Sequence, residues 1–245
     1  SARLSQQGFT RVMQGINPAS FCKMLQPGEC FETPEAVLCY SGAGFNGLSQ
    51  RMHKFVMNHV VPFSWAYKER PILYNSWEGC MFDFNQSRLI DLAHRAKKLG
   101  CELFVLDDGW FGNRNNDLAG LGDYSINLKK LPQGLSGLAQ KINKMGMEFG
   151  LWFEPESVNE DSDLYRAHPD WAISIEGRTR TLGRNQLVLD LTRPEVRDYI
   201  VDSVDKVLSN ANIEYVKWDY NRHISDMYSS TLAQQGEFFH RYILG

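Results

Sequence analysis

Residues 86–106 read QSRLIDLAHRAKKLGCELFVL, and this stretch decides the fold class. Leu89, Ile90, Ala93, Ala96 and Leu99 recur at intervals that place them on one face of a helix over 86–99. Gly100 is the stop, because the left-handed cap that ends a helix favours glycine. The run Cys101-Glu102-Leu103-Phe104-Val105-Leu106 then predicts a strand.

The same alternation extends in both directions. Residues 71–75 (PILYN) predict a strand ahead of this helix. Leu135, Leu138, Ile142 and Met145 predict a second helix, closed by Gly146, and 149–153 (FGLWF) a third strand. Residues 186–190 (QLVLD) predict a fourth. Thr192-x-x-Glu195 has the form of a capping box, with Pro194 in the first turn of a helix through Val196, Ile200, Val204 and Val207. Residues 213–218 predict a fifth strand, and 232–244 a last helix. Five strands alternating with helices predict parallel pairing and an α/β layer architecture. No glycine-rich phosphate loop follows the first strand, which weakens a nucleotide-binding open sheet. Polar groups gather at the strand ends, where barrels carry their active sites. The expectation is an incomplete (β/α)8 TIM barrel of about five βα units over residues 61–245.

Residues 1–60 have a different texture. Strands are predicted at 21–25 and 35–40, separated by the turn Gln26-Pro27-Gly28-Glu29. Leu48, Met52, Phe55, Val56 and His59 predict a helix leading out of this segment. It reads as the tail of a β-rich domain plus a linker helix, and the chain as a fragment open at both ends.

Bulk properties narrow the class. The 43% hydrophobic and 22% charged content is that of a globular protein, and the net charge of −3 gives no sign of a nucleic-acid partner. No apolar run approaches a membrane span. Five cysteines without a C-x-x-C pair argue against a zinc knot or a full disulfide framework, and predict a cytoplasmic location. The histidines show no metal-ligand spacing, and no cofactor is expected.

Candidate chemistry lies at the strand ends: Trp77 and Glu78; Asp107 and Asp108; Trp152, Glu154 and Glu156; Asp190; then Lys217, Asp219 and Asn221. The last three are two apart, so in an extended chain they share a face. A lysine beside a carboxylate keeps it ionised, as a nucleophile requires. A lone Lys-x-Asp reads first as an ion pair closing a strand. Its weight comes from acidic residues at all five strand ends, with tryptophans at three. Carboxylates accept hydroxyl hydrogen bonds and indoles cover the apolar face of a sugar ring. Two carboxylates flanking a glycosidic bond are the machinery of sugar hydrolysis. Asp219 is the candidate for one; Asp107, Asp108 and Glu154 are options for the other.

The chain resembles the α-galactosidases of glycoside hydrolase family 36, of the bacterial raffinose- and melibiose-degrading type. The resemblance is collinear, through 70–78 (RPILYNSWE), 106–112 (LDDGWFG), 121–124 (LGDY), 150–156 (GLWFEPE), 161–166 (DSDLYR), 168–171 (HPDW), 183–190 (GRNQLVLD) and 217–222 (KWDYNR). It implies a retaining α-galactosidase with Asp219 as catalytic nucleophile. It implies Asp107 and Asp108 as a pair binding galactose hydroxyls, and Trp77 and Trp152 as pocket aromatics. Arg184, Lys217 and Asn221 match further substrate-binding positions. It places the acid/base on a later strand, beyond Gly245, and implies an N-terminal β-sandwich of which residues 1–60 are the tail. It also implies a galactoside substrate, no metal, and a homo-oligomeric parent such as a tetramer. Tyr220, Tyr124, Ser76 and 79–81 depart from the family pattern.

Two rivals stand beside this reading. One is a metal-dependent barrel enzyme using Asp107, Glu154, Asp190 and Asp219 as oxygen ligands. The other is a catalytically inactive sugar-binding remnant. Asp163, Arg166 and Asp170 read as surface or capping residues, and Glu156 equally as a strand cap.

Overall fold

The structure, a computed structural model, describes residues 1–245. The chain divides into two compact units, Ser1–Arg70 and Pro71–Gly245.

In the first unit, β1 (Ala2–Leu4) and β2 (Thr10–Val12) form an antiparallel hairpin. The strands expected at 21–25 and 35–40 do not form, and residues 13–43 carry no helix or strand. Strand propensity there finds no partner edge, and a strand alone leaves its backbone groups unpaired. The turn survives, with Glu29 N–H donating to the Gln26 carbonyl at 2.9 Å. The predicted helix is present as α1 (Gly44–His59), followed by the single turn α2 (Phe63–Ala66).

The second unit is built on a parallel sheet of four strands. Strand β3 (Leu73–Asn75) leads into the single turn α3 (Trp77–Cys80), then α4 (Gln86–Lys98) and β4 (Leu103–Leu106). Helix α4 starts where Asn85 Oδ1 accepts the Arg88 N–H at 3.0 Å, and buries Leu89, Ala93 and Ala96. Next come α5 (Gly134–Lys144), β5 (Glu148–Phe153), β6 (Ser157–Val158), α6 (Asp163–Ala167) and β7 (Leu187–Val188). The chain continues through α7 (Pro194–Leu208), β8 (Tyr215–Trp218) and α8 (Phe238–Leu244). The sheet order is β3-β4-β5-β8.

The fourth predicted strand is therefore not a member of this sheet. The edge of β5 that it would occupy is taken by β8, with Gly150 paired to Tyr215 and Phe153 to Trp218. Strand β7 instead pairs antiparallel with β6. Periodicity reports that a segment is extended and buried, not which neighbour it meets. The architecture is α/β with four parallel strands, not five. Two smaller expectations also fail. The capping box at Thr192 does not form: the Thr192 hydroxyl donates to Asp190 Oδ1 at 2.6 Å, and Glu195 pairs with Arg193. The last helix is only α8, preceded by a 3-10 turn at Gln235–Glu237. Pro194 does open α7, whose buried residues are Val196, Ile200, Val204 and Val207 as predicted.

Register sets out the site. Val105 pairs with Gly150 and Gly150 with Tyr215, while Trp152 pairs with Lys217. Asp107 continues β4 one step past the last pair, Leu106 with Leu151, which brings it level with Trp152. Asp107, Trp152 and Lys217 thus form a row across the carboxyl ends of β4, β5 and β8. A Cβ on Gly150, one pleat below, would lie 2.9 Å from Val105 Cγ2 and 3.0 Å from the Tyr215 ring.

Candidate active site

Strand β4 is four apolar residues buried on both faces, and it ends because Asp107 and Asp108 need polar partners. The Ser76 hydroxyl accepts the Asp107 N–H at 3.0 Å, and Asp107 Oδ1 accepts the Asp108 N–H at 2.8 Å. Gly109, at φ 100°, turns the chain away; a Cβ there would meet the Phe82 ring at 2.9 Å. Asp107 Oδ2 accepts from Asn75 Nδ2 at 2.6 Å and from Lys217 Nζ at 2.8 Å. The same ammonium lies 3.8 Å from Asp219 Oδ2, so one cation links both carboxylates.

Asp219 extends the ladder past β8, its N–H donating to the Phe153 carbonyl at 2.8 Å. Its Oδ2 accepts from Trp152 Nε1 at 2.9 Å and its Oδ1 from the Tyr220 N–H at 3.1 Å. Partial burial pushes this carboxyl upward. Hydrogen bonds from Trp152 and Asn221 and the charge of Lys217 outweigh that push and hold it below the ordinary aspartate value. Lys217 is its complement: burial would lower it, but Asp107 and Asp219 raise it above the ordinary lysine value. The site therefore carries an ionised aspartate beside a firmly protonated lysine. Asp219 is also its most open carboxylate, with 30% of its side chain exposed against 6% for Asp107 and 9% for Asp108.

Asp108 lies deeper. Arg114 grips it, Nε at 3.0 Å from Oδ1 and Nη2 at 2.8 Å from Oδ2. Burial still raises its carboxyl above the usual range, with the guanidinium opposing. Glu154 is fully buried. It accepts from the Asn221 N–H at 2.7 Å, Asn221 Nδ2 at 3.1 Å and Gln186 Nε2 at 3.2 Å. Burial raises its carboxyl too, against those three donors.

The predicted residues thus do not all converge alike. Asp107, Asp219, Lys217 and Trp152 share direct contacts, and Asn221 joins them through Asp219 while also holding Glu154. Trp77 opens α3, its N–H on Asn75 Oδ1 at 2.8 Å, so one asparagine separates it from Asp107. The Trp152 ring is buried and lies parallel to Phe111, 6.3 Å away at 4°; what it offers the site is its N–H, not an open stacking face. Arg184 is exposed, in a tight turn between Gly183 and Gln186. Asp190 stands apart: Oδ1 accepts the Thr192 N–H and hydroxyl. The metal-ligand set of Asp107, Glu154, Asp190 and Asp219 is not assembled, and no three His, Cys, Asp or Glu side chains are grouped to hold an ion. Glu156 accepts from Trp218 Nε1 and the Tyr242 hydroxyl. Asp161, Asp163 and Arg166 form exposed ion pairs.

Asn75 holds Asp107, Arg114 holds Asp108 and Asn159 holds Arg114, and none of the three is a candidate site residue on the sequence alone. Asn75 was visible at a strand end. Arg114 and Asn159 lie in loops without periodicity, and nothing in the sequence marked them.

Residues 30–245 match the melibiase family. The chain is similar to the α-galactosidase AgaA of Geobacillus stearothermophilus, 50% identical over 244 residues, covering 99% of this chain and 34% of the relative. It is similar to the α-galactosidase Mel36A of Lactobacillus acidophilus, 46% identical over 242 residues, covering 98% and 33%. A crystal structure of an AgaA variant in complex with raffinose superposes with a TM-score of 0.96 at 49% identity, over 99% of this chain and 34% of that one. The chain spans about a third of the length of these relatives. On the match over residues 30–245, this chain belongs to the melibiase family.

Proposed function

We propose that this chain supplies the galactose pocket and the nucleophile of a retaining α-galactosidase acting on galacto-oligosaccharides such as raffinose and melibiose. One observation carries the reading: Asp219 is at once the most open carboxylate of the site and the one held ionised, by Trp152, Asn221 and Lys217. A nucleophile needs both properties. Asp219 attacks the anomeric carbon through an oxocarbenium-like transition state. The bond to the leaving oxygen breaks as the carboxylate bond forms, and water then hydrolyses the galactosyl-enzyme. Asp107 and Asp108 accept hydroxyl hydrogen bonds from the sugar, Lys217 and Asn221 donate to it, and Trp77 and Arg184 line its rim.

The leaving oxygen needs an acid. Glu154 is fixed by three donors and Asp108 by a bidentate arginine, so neither is free to swing towards a leaving group. This supports an acid/base from a segment outside these 245 residues. A (β/α)8 barrel accommodates the missing strands beside β3 and β8, with residues 61–245 as its first part and residues 1–60 as the tail of a β-sandwich. A cytoplasmic homo-oligomer, such as a tetramer, completes the reading.

The test is substitution in a full-length enzyme carrying these residues. Asp219→Ala lowers kcat on an aryl α-galactoside by several orders of magnitude, as removal of a nucleophile does. Near-normal turnover would discard the assignment. Asp219→Asn, assayed by calorimetry, still binds galactose.

A further inference from the structure

Asn159 is fully buried, and its side-chain amide meets partners on both sides. Its Oδ1 accepts from Arg114 Nη1 at 2.8 Å and the Leu121 N–H at 2.9 Å. Its Nδ2 donates to the Asn185 carbonyl at 2.8 Å and the Asp117 carbonyl at 3.2 Å. No hydrogen-bonding position of the amide is wasted. The first side leads through Arg114 to both oxygens of Asp108.

The second side leads to a strained turn. Gly183 and Gln186 exchange N–H to carbonyl bonds at 3.2 and 3.0 Å, closing a two-residue loop. Its central residues, Arg184 and Asn185, have φ of 51° and 60°. Two positive φ values are what a type I′ turn demands, and glycine is the residue that adopts them without cost. An arginine there carries a Cβ penalty, so the turn persists only where its surroundings over-determine it. Arg222 holds one flank, donating to the carbonyls of Thr181 and Gln186. Asn159 holds the apex, through the Asn185 carbonyl.

We propose that Asn159 is a positioning residue that couples the Arg114–Asp108 pair to the Arg184–Asn185 turn, so that one buried amide sets the place of two groups of the proposed sugar site. The inference rests on the proposed roles of Asp108 and Arg184. It adds a residue that does not touch substrate and acts through both. Leu121 and Asp117 join the same amide, so the loop from 114 to 121 is locked with it.

The experiment is kinetic, in a full-length enzyme carrying these residues. Asn159→Ala leaves a buried guanidinium N–H and the Asn185 carbonyl without partners. It raises KM for an aryl α-galactoside and the inhibition constant of free galactose together, by about tenfold, with a smaller loss in kcat. Asn159→Asp keeps the acceptor facing Arg114 and loses the donor facing Asn185, and still raises both constants. It is the arm that counts if the alanine variant fails to fold. Asn185→Gly relieves the turn by its own backbone freedom. Combined with either substitution it restores part of KM without restoring the melting temperature. A purely structural asparagine would lower Tm and leave KM and the inhibition constant of the folded fraction unchanged; that result overturns the proposal. If Asp219→Ala abolishes turnover while the Asn159 variants keep the parental KM, this inference alone fails. If Asp219→Ala is active, the functional reading beneath it fails first.

Discussion

Lys217 carries its charge between two carboxylates, 2.8 Å from Asp107 and 3.8 Å from Asp219, and that placement makes the site sensitive to pH in a definite direction. Asp219 sits below its ordinary pKa, so its contribution to stability is present above the unfolded value and lost as pH falls through the lower folded one. Lys217 sits above its ordinary value, so its contribution is complete below the unfolded value and lost as pH rises through the higher folded one. Across neutral pH both are in place. Lys217→Met removes one of the influences that lower Asp219. The acidic limb of the kcat/KM profile of a full-length enzyme should then move to higher pH, and a shift to lower pH would contradict the assignment. Arg114 makes a second prediction. Its pair with Asp108 is almost fully buried, and removing one partner of such a pair costs about 3–5 kcal/mol. Arg114→Leu should lower the unfolding free energy in denaturant by roughly that amount, and a loss under about 1 kcal/mol would mean that water has entered the pair.

Among the elements, β5 is held from both sides. Both its edges are paired, and a Cβ on Gly150 would meet Val105 of β4 and Tyr215 of β8. Gly150→Val has no room against Val105 and Tyr215. It should destabilise the second unit by about 1–3 kcal/mol, read as a lowered Tm, because packed cores resist added methyl groups. An unchanged Tm would show that the sheet can open at β8. The helices were legible in the sequence for the same reason that they are stable: Leu89, Ala93 and Ala96 on α4 and Val196, Ile200, Val204 and Val207 on α7 repeat at the helical period and are buried. Strands β4, β5 and β8 were legible as short runs followed at once by an acid, and β3 as the run at 71–75. Strand β7 was legible as extended and buried, but its membership of a different sheet was not, because the edge of β5 is taken by β8, more than 60 residues further along the chain. At the candidate site, Lys217 and Asp219 stand out by their spacing and Asp107 by its place at a strand end, and the fold brings the three into contact. The partners that hold Asp108 and the 184–185 turn do not stand out. A hydrogen bond between a loop arginine and a loop asparagine leaves no period in a sequence.

At the scale of the whole chain, β3 and β8 are the outer strands of the sheet, and β8 leaves Tyr215, Val216 and Trp218 exposed. Unpaired strand edges of this kind template association. The 245-residue chain alone should self-associate in light scattering and show little turnover of an aryl α-galactoside. A monodisperse monomer with the turnover of a full-length relative would contradict the proposal that a segment outside these residues supplies the acid. Edge position also orders local stability. Amide exchange should be slowest in β4 and β5 and faster in β3, β8 and residues 13–43, since amides open most readily where pairing and burial are least.

The covalent step is the centre of the account, and it can be caught directly. A full-length enzyme carrying these residues is incubated with a fluorinated galactosyl donor that forms the glycosyl-enzyme quickly and releases it slowly, then digested and read by mass spectrometry. A single added fluorogalactosyl mass is expected on the peptide containing Asp219, absent from the Asp219→Asn variant. A label on Glu154 or Asp108, or turnover of this donor with Asp219 unmodified, would contradict it.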